Sequence, residues 1–112
     1  MRPGRDVTPN MTDYEAERAA FRLDVPERFN FVLDVLEKRA SATPDGLALL
    51  ALDSAGSETG RYTWASMARE TRRMGNALHG LGVKKGDPLF IMLPRIPQWY
   101  VAALGAAPAD WA

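Results

Sequence analysis

The 112-residue chain contains no cysteine. That excludes disulfides, thiol nucleophiles and zinc–thiolate sites, and it suits a reducing compartment. Long hydrophobic runs are missing too: no stretch approaches the ~20 apolar residues that span a bilayer, so no membrane span is expected. The opening MRPGRDVTPN carries arginines but no apolar core of a secretory signal. These absences make the cytoplasm the expected location. Charge of one sign is also lacking, since fourteen acidic residues balance fourteen basic ones. A chain without net positive charge lacks the usual electrostatic footprint of a nucleic-acid binder, and no nucleic-acid partner is expected.

Catalytic signatures are equally sparse. The one histidine, His79, lies on a helix beside Gly80 and reads as a surface or packing residue. There is no HExxH, no CxxC, no Gly-x-Ser-x-Gly and no G-x-G-x-x-G or Walker loop. Gly80-Leu81-Gly82 ends a helix, whereas an anion-binding loop must begin one. The acidic pairs Glu15/Glu17 and Asp34/Glu37 read as solvated helical faces, as do Arg69, Arg72 and Arg73. Trp64, Trp99 and Tyr100 stand at helix starts beside apolar stripes and read as packing aromatics. Arg95, between two prolines just past an apolar strand, is the residue best placed to meet a ligand, because open α/β sheets bind ligands at strand carboxyl ends. It is still read first as an ordinary surface arginine. No catalytic, cofactor-binding or metal-binding residue is assigned.

What the chain does contain is α/β patterning. Residues 1–10, with two prolines and one valine, are expected to be disordered. Residues 13–23 form a helix candidate, capped by Thr12 or Asp13 and interrupted at Val25-Pro26. A stronger helix begins near Asn30, with Phe29, Val32, Leu33, Leu36 and Ala40 on one apolar face. Thr43-Pro44-Asp45-Gly46 is a turn, and LALLALD, residues 47–53, is a strand. Loop 54–60 and return strand 61–63 complete a hairpin. Thr63 caps a long helix over residues 64–81, whose inner face is Trp64, Met67, Ala68, Thr71, Met74, Leu78 and Leu81. Gly82 supplies its left-handed stop. LFIML, residues 89–93, is apolar on both faces and predicts a buried parallel strand, so that strand, helix and strand form a right-handed βαβ unit. Pro97 opens a last helix.

Three pieces in this order resemble one family. They are FRLDVPERFNFVLDVLEKRA with its Arg-Phe-Asn leader, RYTWASMARETRRMGNALHGLGVKKGD with its Gly-Val-x-x-Gly-Asp turn, and LFIMLPRIPQWYVAALGA with its Leu-Pro-Arg-x-Pro-x-Trp turn. Residues 13–106 are similar to the amino-terminal part of AMP-forming acyl-CoA synthetases of the adenylate-forming superfamily, in a branch like the medium-chain acyl-CoA and benzoate-CoA ligases. The resemblance implies an acid–thiol ligase that joins a carboxylate to ATP, releasing pyrophosphate, and passes the acyl group to coenzyme A. For the whole family it implies ATP, magnesium and coenzyme A as cofactors and a medium-chain or aromatic carboxylic acid as substrate. The family's phosphate loop, nucleotide and acyl pockets and carboxyl-terminal lysine domain have no matching residues here.

The expected fold class is therefore α/β: a partial amino-terminal portion of the family's large domain, with helices, a hairpin and a βαβ unit, and not a complete domain. The expected division is an extension at 1–12, the family portion at 13–106 and a tail foreign to the family at 107–112, read as a truncated frame. Alone, such a piece is expected to be an inactive scaffold with poor solubility. Two other readings stand beside it: a non-catalytic module that pairs through an exposed sheet edge, and a piece of an amino-acid adenylation domain. The oligomeric state is not readable from the sequence.

Overall fold

The computed structural model describes residues 10–107. The expected disorder of residues 1–9 and the foreign tail beyond residue 107 lie outside the described residues. The order of elements is α1 (Tyr14–Ala20), a π-helical segment (Val32–Glu37) running into α2 (Lys38–Ala42), β1 (Leu47–Leu52), β2 (Glu58–Thr63), α3 (Trp64–Gly80) and α4 (Pro97–Ala106).

α1 starts where Asp13 caps it, its carboxylate accepting from the Ala16 amide at 3.0 Å. It stops at Ala20, well before Pro26, and buries none of its residues. Its thin apolar stripe has nothing to pack on, so Phe21, Leu23 and Val25 beyond it are all exposed.

The next helix begins with a reciprocal cap built on Asn30. The Asn30 side-chain oxygen accepts from the amides of Val32 at 2.9 Å and Leu33 at 3.3 Å. The Asp34 carboxylate reaches back to accept from the Asn30 amide at 2.8 Å. Each group satisfies a donor that a helix start leaves unpaired, with the logic of a capping box. This amide, and then the Lys38 ammonium at 3.4 Å, hold the Asp34 carboxyl below its ordinary value. A lowered folded-state pKa means that the bond is intact above the ordinary carboxylate range and is lost as pH falls through the lowered value. The Asn30 amide proton is therefore expected to shift in step with Asp34 protonation, below the ordinary aspartate range. An NMR titration should show this step, and Asp34→Asn should abolish it.

Past the cap the helix is wound with π geometry from Val32 to Glu37. The wider turn changes which residues share a face. Val32 and Leu36 are fully or almost fully buried and Ala40 packs beside them, whereas Phe29 and Leu33, expected on the same face, are 56% and 55% exposed. An ordinary helix would have carried Leu33 inward; the π segment turns it out.

β1 and β2 form the expected antiparallel hairpin, pairing Leu47 with Thr63 and Ala51 with Gly60. Two register irregularities, between Leu47 and Leu49 and between Ala51 and Leu52, interrupt the ladder. The return strand starts at Glu58, earlier than the sequence pattern indicates, because the turn is shorter than SAGSETG. Asp53 closes it: its carboxylate accepts from Ala55 and Ser57 amides at 2.9 and 2.8 Å, and Gly56 takes φ +82°.

Thr63 caps α3 through the Ser66 amide at 3.1 Å. The two leading amides of α3 donate to carbonyls of the 43–46 turn, Trp64 to Gly46 and Ala65 to Pro44, both at 3.0 Å. The core is small: Val32 and Leu36 meet Met67 and Ala68 of α3, with Leu49, Tyr62, Trp64, Val101 and Leu104 around them. Within it the Thr71 hydroxyl is buried without a hydrogen-bond partner among the described residues, an arrangement that costs about 1–3 kcal/mol. Arg72 stays exposed on the outer face to which its spacing assigns it, yet donates to both Glu37 oxygens at 2.7 Å, tying α3 to the π segment. Leu81, expected inside, is 80% exposed because α3 ends at Gly80 and Leu81 is its cap.

One expected element does not form. Among the described residues the sheet has two strands only, so LFIML is not a strand and there is no βαβ unit. A parallel strand needs a neighbouring ladder, and none of the described residues offers one to residues 89–93. The chain remains α/β, as four helices and a two-stranded antiparallel sheet.

Candidate functional site

The features that could serve a function cluster where α3 hands over to α4. α3 closes with a Schellman arrangement: the Val83 amide donates to the Leu78 carbonyl at 3.1 Å and the Gly82 amide to His79 at 2.9 Å. Gly82 takes φ +85°, as a left-handed stop requires. The next turn is fixed by Asp87, whose carboxylate accepts from the Lys84 amide at 2.8 Å, with Gly86 at φ +92°. The Gly-Val-x-x-Gly-Asp spacing thus has a local cause: two glycines at positive φ and one aspartate that staples the turn between them.

From this turn residues 88–93 run without helix or ladder. Their exposure alternates as in a strand: Phe90 and Met92 are 97% and 96% exposed, while Leu89 and Leu93 are 39% and 42% exposed and Ile91 is half-buried. One face therefore leans on the protein while the other faces outward. No backbone hydrogen bond of Leu89 to Leu93 occurs among the described residues. α4 then starts at Pro97, with no side-chain cap on Ile96.

Three clefts border this region. One of about 300 Å³ lies between the end of α3, the turn and α4, lined by Leu78, His79, Lys84, Asp87, Leu89 and Gly105 among others. His79 is exposed on its rim, and among the described residues no carboxylate or hydroxyl is hydrogen-bonded to it as a catalytic imidazole needs. A second cleft, about 340 Å³, is lined by Leu93, Pro94, Arg95, Trp99 and Tyr100. A third, about 230 Å³, joins Arg95, Ile96 and Tyr100 to Leu49–Leu52 of the hairpin. Trp99 and Tyr100, expected to pack inward, are 40% and 47% exposed and meet edge to face at 5.4 Å. Their outward position follows from α4, whose packed face is Val101, Leu104 and Gly105. Arg95 has no hydrogen bond or ion pair among the described residues.

The remaining charges are structural. Glu58 is held below its ordinary pKa by the Arg61 guanidinium, which donates to both carboxylate oxygens at 2.9 Å and is itself raised. A carboxyl pushed down stays ionised at neutral pH, the opposite of what a general acid needs. Arg69 and Arg73 pair with Glu70 at 3.4 and 3.3 Å on the exposed side of α3. Among the described residues no three histidine or acidic side chains are grouped to hold a metal.

A family model described as AMP-binding enzyme matches residues 36–112, which carry α2, the hairpin, α3 and α4. The chain belongs to the AMP-binding enzyme family. It is 31% identical over 105 residues to the mitochondrial acyl-coenzyme A synthetase ACSM3 of Homo sapiens, covering 88% of this chain and 18% of the relative. It is 35% identical over 94 residues to the acetyl-coenzyme A synthetase of Phycomyces blakesleeanus, covering 84% and 14%. To the mitochondrial ACSM5 of Rattus norvegicus it is 34% identical over 83 residues, covering 69% and 14%. The chain spans less than a fifth of the length of these relatives.

Proposed function

We propose that this chain is scaffold from the large domain of an ATP-dependent, AMP-forming acyl-CoA synthetase. The whole enzyme joins a carboxylate to ATP, releasing pyrophosphate, and transfers the acyl group to coenzyme A with release of AMP. The observation that carries the reading is the family match over residues 36–112, joined to relatives whose names are acyl-coenzyme A synthetases. A medium-chain or aromatic carboxylic acid as substrate is supported by the Arg28-Phe29-Asn30 leader and the Leu93-Pro94-Arg95 turn. The cytoplasm is supported by the lack of cysteine, although the ACSM relatives are named as mitochondrial.

The described residues do not fit ATP and magnesium. They offer no glycine- and hydroxyl-rich loop leading into a helix and no grouped carboxylates, so no chemical step is assigned to them. Their work is structural. The Asn30 cap starts the π segment, the Glu37–Arg72 brace ties it to α3, and α3 packs against α4. The test is pyrophosphate release by the purified 112-residue chain with MgATP, octanoate or benzoate, and coenzyme A. Release no faster than without protein is the expected result; substrate-dependent turnover would refute the scaffold role.

A further inference from the structure

We draw no further inference here: the strongest candidate, the open cleft that Arg95, Trp99 and Tyr100 line at the start of α4, is built from exposed side chains of a chain that spans less than a fifth of its relatives, and nothing in the structure shows what covers it.

Discussion

Leu36→Ala is expected to cost about 2–5 kcal/mol of folding stability, the range for a fully buried leucine, while Leu33→Ala costs less than about 1 kcal/mol. Leu36 is 2% exposed and belongs to a core with only four buried apolar members, whereas Leu33, three residues earlier, is 55% exposed. An ordinary helix from Asn30 onward would bring both leucines to the core. The π winding of Val32–Glu37 admits one. The contrast between the two variants therefore measures the helix geometry as well as the core. Urea unfolding followed by far-ultraviolet circular dichroism, at one protein concentration so that self-association does not differ between samples, checks it. Equal losses at both positions would contradict the π geometry.

Gly105→Ala is the second large effect, and its sign follows from two opposed magnitudes. Alanine is a better helix former than glycine by up to about 1 kcal/mol. A Cβ at Gly105, however, would stand 2.5 Å from Met74 Cγ, 2.6 Å from Met74 Cβ and 3.2 Å from the Gly75 amide nitrogen. Methionine is flexible at its far end but not at Cβ, and the Gly75 nitrogen is backbone, so α3 and α4 must move apart. Overpacking of this kind costs about 1–3 kcal/mol and outweighs the propensity gain. Gly80→Ala, on the same α3, meets nothing within 4 Å and is expected to be neutral or stabilising. Thermal denaturation of the two variants should show shifts of opposite direction. A stabilised Gly105→Ala would mean that α3 and α4 do not cross this closely.

The elements whose signals are local were legible in the sequence. Asp13, one of the two cap candidates, and Thr63 cap the helices they precede, the second helix starts near Asn30, Gly82 stops α3 with positive φ, and Pro97 opens α4. Each depends on a side chain or a φ angle within a few residues, which a sequence records directly. What was not legible depends on partners. Leu33 is turned outward where the helix takes π winding, and periodicity assumes ordinary winding. The Arg72–Glu37 brace joins residues 35 positions apart, so spacing along α3 places Arg72 with Arg69 and Arg73 on the solvated side. LFIML has the composition of an interior strand, and strand formation depends on a ladder neighbour that the described residues do not supply. Its side chains alternate in exposure, with Phe90 and Met92 outward, although no ladder forms. No site residue is legible for a different reason: the sequence carries none of the phosphate-loop, metal-ligand or nucleophile motifs. His79 and Arg95 line clefts, but no reactive partner is hydrogen-bonded to either among the described residues.

The central claim is that this stretch of an AMP-binding enzyme holds structure and leaves nucleotide chemistry to other residues of the family. The most direct measurement is a titration of the 112-residue chain with MgATP, followed residue by residue through its amide NMR signals. The account predicts no saturable shift at any amide. A saturable, one-to-one response centred on His79, Lys84 and Asp87, or on Arg95 and Tyr100, would contradict it.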